Sequence, residues 1–229
     1  MKVSLLPYFV LILMGAAWGL GIALTKITVA TGYGPFVLIF WQFVLGTIIL
    51  GFISIMRRKL PFFGRKTIFL FTVLALLGAI FPNSANYVAT YYLPAGFIAI
   101  LIATVPMFSF PIAMLMGLEK IDFRRIAGII VGFCGVLVLT GPDAGIPDKV
   151  LLIFIPLALV APLFYALEGN YVDKYGTSGQ DPIQTFTGVS ILGTLMVLPI
   201  VFATGQWINP LEPWPLQNFT HVISSFCHA

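Results

Sequence analysis

Seven apolar runs, each about as long as a membrane-spanning helix, follow one another along the chain. A helix needs about 20 apolar residues to cross the hydrocarbon layer of a bilayer. With 59% hydrophobic and 9% charged residues, the chain also carries more apolar side chains than one soluble core could enclose. The sequence therefore predicts an all-α polytopic membrane protein whose solvent is the lipid bilayer. The predicted spans are residues 7–29, 35–56, 67–88, 95–117, 126–141, 150–171 and 183–204.

The basic residues are distributed unevenly between the two predicted sides of the membrane. With a cytoplasmic N-terminus, ten of the twelve Lys and Arg fall on the cytoplasmic side, and only Lys26 and Lys149 fall outside. This orientation is favoured because cytoplasmic loops carry an excess of positive charge. The basic residues thus report topology, and no nucleic-acid partner is expected. We expect an integral protein of a bacterial cytoplasmic (inner) membrane.

A weak internal repeat appears when the sequence is shifted on itself by 147 residues. The first unit holds five spans, an odd number, so the second would enter the membrane from the opposite side and form an inverted repeat. We expect a first five-helix unit at residues 1–147 and an incomplete second unit at 148–229, with about seven helices here, the start of an eighth, and ten in the full-length parent. The matched residues are Leu20 with Leu167, Gly32 with Gly179, Pro35 with Pro182, and Leu45, Gly46 and Thr47 with Leu192, Gly193 and Thr194.

Four stretches of the predicted helices carry a family resemblance: "GAAWGLGIALTK", "GYGPFVLIFWQFVLG", "PNSANYVATYYLPAGFIAILIATVPMF" and "GIIVGFCGVLVL". On these stretches the chain resembles the EamA-type family of the drug/metabolite transporter superfamily. The resemblance implies ten helices in two inverted five-helix units. It also implies export, or in some members import, of amino acids, other small metabolites or drugs, without an ATP-hydrolysing domain. No cofactor is expected.

Polar side chains in the third predicted span are the first candidates for a substrate site. Asn83, Asn86 and Tyr87 share one helical face, and Gln42 lies in the same outer half of the second span. A carboxamide in hydrocarbon is costly unless it faces protein or a wet cavity. We therefore predict that these four residues bind substrate. The alternative is that they form hydrogen bonds between helices, each contributing about 0.6 kcal/mol.

Glu168 is the only acidic residue well inside a predicted span, in the cytoplasmic third of the sixth, with Tyr165 on the same face. Because an intramembrane carboxylate is a functional candidate, we predict that it carries a proton or pairs with a cationic substrate. The alternative is an ion pair with Lys174. Asn170 adds a nearby polar group, and Trp18, midway along the first span, is predicted to wall the cavity. Both are counted as substrate-binding candidates.

These features favour a secondary transporter, acting as an exporter of small organic solutes by alternating access, with proton coupling through Glu168. An intramembrane enzyme is disfavoured, because its spans would need paired Asp, Ser with His, or metal ligands, and the only histidines are His221 and His228. Two alternatives stay open. The chain is a truncated half-transporter that needs a homodimer partner or a complementing chain, or it is a non-transporting membrane sensor or receptor.

Overall fold

The computed structural model describes residues 6–30, 32–139 and 153–207. Within these residues the chain is entirely helical apart from its turns, which confirms the predicted fold class. Six of the seven helices are long and apolar enough to cross a membrane, whereas α5 has only 17 residues. The helices are α1 Leu6–Ala30, α2 Pro35–Met56, α3 Arg65–Tyr92, α4 Ala95–Leu115, α5 Phe123–Leu139, α6 Ile155–Tyr175 and α7 Pro182–Ala203.

Helix α6 ends later than the sequence predicts. Hydropathy falls at Asp173 and Lys174, which placed the predicted end at residue 171, but the helix continues to Tyr175. Gly176, with a φ of 69°, then ends it in a conformation that glycine adopts readily. Glu168 therefore lies seven residues, or about 10 Å, from the end of its helix. It is deeper in the helix than predicted.

Helix α3 is continuous but contains a wide π-helical turn at Leu76–Ile80. In this turn the Phe81 N–H bonds to the Leu76 carbonyl, five residues back. Pro82 follows immediately, and it has no N–H to donate to the Gly78 carbonyl. Wide turns of this kind occur where the regular hydrogen-bond ladder is interrupted. The turn lies in the middle of the helix, beside the cavity described below.

Helices α2 and α7 pack against each other, antiparallel, and form the most extensive interface among the described helices. Glycines permit the close approach: a Cβ added at Gly46 would lie 2.8 Å from Ser190 Oγ, and one added at Gly193 would lie 2.5 Å from the Phe43 ring. Ser54 and Thr187, both fully buried, share a hydrogen bond of 2.9 Å across the interface. Every polar group in that pair is satisfied inside the protein.

The ends of α2 and α7 are tied together beyond the helices. Arg57 forms a 3.1 Å ion pair with Asp181, which also caps the first turn of α7. The Gln180 side chain both accepts from the Phe62 N–H and donates to the Phe62 carbonyl, each at 3.2 Å. These contacts place the 57–66 loop and the α6–α7 turn on the same side of the molecule.

Helices α1, α4 and α6 contact α3, whereas α5 contacts α4. Helix α6 contacts both α3 and α4, while α1 lies on α3 and α4. Lys26 near the end of α1 donates to the carbonyls of Thr90, Tyr91 and Leu93, at 2.8 to 3.1 Å. A cation at a helix C-terminus stabilises the unpaired carbonyls there. The first half of α1 is exposed in the structure and almost entirely apolar.

Candidate functional site

A cavity of about 670 Å³ lies between α1, α3 and α6, and is termed the central cavity here. Its volume falls within the range of roughly 300–1,000 Å³ that small-molecule sites occupy. Six of the seven predicted substrate-binding residues line it, namely Trp18, Gln42, Asn83, Asn86, Tyr87 and Glu168. Their neighbours in the lining include Met14, Thr25, Gly78, Thr90, Ile102, Tyr165 and Phe186.

A hydrogen-bond network connects three helices at one side of the central cavity. Gln42 Oε1 accepts from Asn83 Nδ2 and from the Tyr87 hydroxyl, both at 3.1 Å. Asn83 Oδ1 in turn accepts from the Tyr165 hydroxyl at 2.9 Å. The network holds α2, α3 and α6 in register, so Asn83 does join helices, as the alternative interpretation of these residues required. All four members of the network also line the cavity.

Asn86 and Thr90 lie one helical turn apart on α3, and a side-chain oxygen of each has no hydrogen-bond partner. Asn86 is 8% exposed, and neither its Oδ1 nor Thr90 Oγ1 forms a hydrogen bond within the described part of the chain. Leaving a buried polar atom unsatisfied costs about 1–3 kcal/mol. Both residues line the central cavity. These two side-chain oxygens are therefore buried and unpaired beside the cavity.

Glu168 lies directly across from Gly78, in the π-helical turn of α3. A Cβ added at Gly78 would lie only 2.5 Å from Glu168 Oε1 and 2.7 Å from Oε2, so no side chain fits there without moving the carboxyl group. Within residues 6–30, 32–139 and 153–207, no ion pair involves Glu168. The alternative partner, Lys174, instead donates to the Met116 carbonyl at 2.8 Å.

The structure joins two groups of residues that the sequence placed at different depths. Glu168 was predicted in the cytoplasmic third of its helix, and Asn83 in the outer half. Because α6 extends further than predicted and Glu168 faces Gly78, the two residues are separated by only about five residues of α3, or roughly 7 Å along the helix. A single cavity therefore contains both groups.

Trp18 lies at the mouth of the central cavity. Its ring contacts the Tyr165 ring edge to face, with centroids 6.3 Å apart, and the residue is 58% exposed. Gln42, on the neighbouring α2, is also exposed. The cavity is therefore open beside these two residues of α1 and α2. Aromatic rings at this opening provide an apolar surface for a ligand.

The structure does not bring Asn170 to the central cavity. Asn170 lies two positions after Glu168 on α6. Two positions correspond to a rotation of about 200° around the helix axis, so the Asn170 side chain points away from the cavity, toward α4. Asn170 is 3% exposed and donates to the Ser109 carbonyl, to Ser109 Oγ and to the Ala166 carbonyl. It lines a different cavity, of about 820 Å³, whose charged residues lie at the exposed helix ends. We leave Asn170 out of the proposed site.

Two cavity residues were missed by the sequence analysis. Thr90 continues the face of Asn83, Asn86 and Tyr87 at the next helical position, so the spacing could have identified it. Gly78 carries no such signal. Its importance depends on the carboxyl group of Glu168 from another helix, which sequence spacing within α3 does not reveal.

Comparison with known proteins assigns the same class that the spans and the polar cavity indicate, a membrane transporter. The family model of the EamA-like transporter family matches residues 5–141, more than half of the chain. The chain therefore belongs to the EamA-like transporter family, within the drug/metabolite transporter superfamily. Membership suggests a non-enzymatic protein that moves a small molecule across a lipid bilayer.

A relative from Archaeoglobus fulgidus supports this class. The protein, described as an "Uncharacterized transporter", is 22% identical over 195 residues, which cover 85% of this chain and 67% of the relative. No solved structure shows significant similarity to the chain.

Proposed function

We propose that this protein is a secondary transporter that exports small organic solutes by alternating access, with the central cavity as its substrate site. The observation that carries the proposal is the Glu168 carboxyl group, which lines a cavity between helices and has no ion-pair partner among the described residues. Intramembrane polar groups of this kind mark substrate and ion pathways.

The packing of α2 against α7 supports two units related by an inverted repeat. By the 147-residue offset, Phe43 corresponds to Ser190 and Gly46 to Gly193. Gly46 faces Ser190, and Gly193 faces Phe43. A two-fold relation requires this reciprocity, in which each contact recurs with the partners exchanged. In the proposed mechanism the two units, 1–147 and 148–229, rock about this interface and expose the central cavity to each side alternately.

The same relation accounts for the open side of the central cavity. Helix α3 packs on α6 and α7, which correspond to α1 and α2. A helix equivalent to α3 would therefore pack on α1 and α2 and cover Trp18. By the offset it would begin near residue 212, outside the described residues; in the half-transporter alternative, a partner chain would supply it. Native mass spectrometry of the protein from its membrane distinguishes one chain from two.

Glu168 is the proposed proton carrier. The titratable residues that line the central cavity in the described chain are Glu168 and Tyr165 of α6 and Tyr87 of α3, while α1, α2, α4 and α7 contribute none. A carboxyl group that faces a cavity without a cationic partner can exchange its proton for a substrate. Inward proton movement would then drive outward solute movement.

A transport assay tests the proposal. Protein from the complete reading frame is placed in liposomes loaded with a metabolite extract, and released compounds are identified by mass spectrometry with and without a proton gradient. We expect gradient-driven release, which Glu168→Gln abolishes while exchange of the same solute persists at saturating solute concentration. The matched control is Asp173→Asn, which removes a carboxylate from the same helix outside the central cavity. Release of nothing above empty liposomes would refute transport, and a Glu168→Gln protein with normal gradient dependence would refute proton coupling.

A further inference from the structure

The single charged residue in the described lining of the central cavity indicates a narrower substrate class than the proposed function states. We propose that the cavity binds the protonated amino group of an organic monocation and discriminates against zwitterionic amino acids. This inference rests on the proposed role of the cavity as the substrate site. It concerns what binds there, and is independent of the direction and energy source of transport.

The polar atoms left without partners suit an ammonium group. Glu168 is the only charged residue among those described that line the cavity, and Asn86 Oδ1 is a buried acceptor without a donor. An ammonium group has N–H donors and no acceptor, so it complements a carboxylate and a carbonyl oxygen. Hydrogen bonds of this charged kind are about twice as strong as neutral ones. The Glu168 carboxylate is thus the charged acceptor that the cavity offers to an amine, and the Asn86 carbonyl oxygen is an unpaired acceptor buried beside it.

Gly78 provides the space in which the carboxyl group of Glu168 lies. Since any Cβ at position 78 would come within 2.5 Å of the carboxyl oxygens, a side chain there would push Glu168 from its position. The absence of a side chain in the middle of a π-helical turn therefore has a role at this site. It leaves room for the carboxyl group of Glu168.

Aromatic side chains provide the rest of a surface suited to an organic cation. The central cavity is lined by aromatic residues from four different helices, namely Trp18, Tyr87, Tyr165 and Phe186. The faces of aromatic rings attract cations, and Trp does so most strongly. The same rings bury the apolar part of an amine.

Among the described residues, the cavity offers no partner for a carboxylate. No Lys, Arg or His is among its described lining residues. Lys26, which belongs to α1, already directs its three donors to the carbonyls of Thr90, Tyr91 and Leu93. The carboxylate of an amino acid would thus enter the field of Glu168 with no compensating cation. Burial of such a charge without a partner is strongly unfavourable.

Three probes that share a phenethyl group separate these possibilities. Phenethylamine carries the amine alone, phenethyl alcohol is its neutral analogue, and phenylalanine adds a carboxylate beside the amine. Equilibrium binding to the purified protein in lipid nanodiscs is measured at neutral pH. We expect phenethylamine to bind about tenfold or more tightly than either of the other two, as a charged hydrogen bond implies.

Variants assign the effect to the site. Glu168→Gln should weaken phenethylamine binding by about ten- to a hundredfold and leave phenethyl alcohol within about twofold. Gly78→Ala should also weaken phenethylamine selectively, whereas Asp173→Asn, outside the cavity, should not. Thermal melting of each variant without ligand verifies that it is folded. Selective loss of amine binding in a folded protein supports the proposal.

The proposal is overturned if phenylalanine binds as tightly as phenethylamine, if phenethylamine does not bind, or if Glu168→Gln leaves its affinity unchanged. These results are distinguishable from failure of the proposed function. Amine binding without movement across liposome membranes would refute transport and leave the amine site standing. Transport of amino acids that does not depend on Glu168 would refute the amine site and leave transport standing.

Discussion

The α2–α7 interface and the central cavity use similar residues in opposite ways. In the interface, glycines admit side chains of the facing helix, and the buried Ser54 and Thr187 hydroxyl groups satisfy each other. In the cavity, Gly78 admits the Glu168 carboxyl group, while Asn86 Oδ1 stays unpaired. Close packing with satisfied polar groups fixes one arrangement. A carboxyl group without an ion-pair partner beside a void leaves binding energy for a ligand, so we interpret the first region as a support and the second as the proposed site.

The largest effect on stability should come from filling the interface. Gly193→Val places a branched side chain where even a Cβ would lie 2.5 Å from the Phe43 ring. Overpacking of this kind costs about 1–3 kcal/mol. We expect unfolding in mixed micelles at a correspondingly lower denaturant concentration. The matched control is Gly51→Val in α2, because nothing lies within 4 Å of a Cβ at Gly51. Equal destabilisation by both variants would contradict the close packing at Gly193.

The positions of the helices were more predictable than their interactions. The predicted spans 35–56 and 183–204 match α2 and α7 within a residue, because each helix starts at a proline and contains no charged residue. Helix α6 was cut short because charged residues lower hydropathy without ending a helix. The end was instead set by Gly176, whose backbone conformation few other residues adopt.

Helical spacing in the sequence predicted those site residues that share one face of a single helix. One face of α3 carries Asn83, Asn86 and Tyr87, and the structure places all three at the cavity. Asn170 was grouped with Glu168 because the two are close in sequence, although they point to different sides of α6. The contact of Glu168 with Gly78 and the π-helical turn beside it depend on tertiary packing, which periodicity does not contain.

One substitution in each region should have a smaller effect than Gly193→Val. The substitution in the interface should lower stability, and the one at the cavity should lower the stabilisation by a ligand. Ser54→Ala removes a satisfied hydrogen bond from the interface and should cost about 0.6–1 kcal/mol of stability. Asn86→Leu removes an unsatisfied acceptor and should leave the melting temperature without ligand nearly unchanged. It should, however, reduce the stabilisation that phenethylamine confers. Thermal shifts with and without this probe measure both. If Asn86→Leu lowered both melting temperatures equally, Asn86 would be structural like Ser54.

The smallest effect is expected from acid at the exposed end of the interface. The Gln184 backbone N–H, which donates to the Asp181 carboxylate, and then Arg57 hold the pKa of Asp181 below its ordinary value near 4. Since the folded protein binds this proton less readily than the unfolded chain, Asp181 stabilises the fold above the unfolded pKa. That contribution is lost as the pH falls through the lower folded value.

Unfolding followed between pH 6 and pH 3 tests this contribution at the end of the α2–α7 interface. The native protein should lose part of its stability below about pH 4. Asp181→Asn should be less stable than the native protein at pH 6, and the difference between the two should shrink toward pH 3. A difference that stayed constant with pH would mean that Asp181 acts through the shape of its cap and not through its charge. Because this region is remote from the central cavity, phenethylamine binding at neutral pH should be the same in both proteins. A loss of binding in Asp181→Asn would show that the support and the site are coupled.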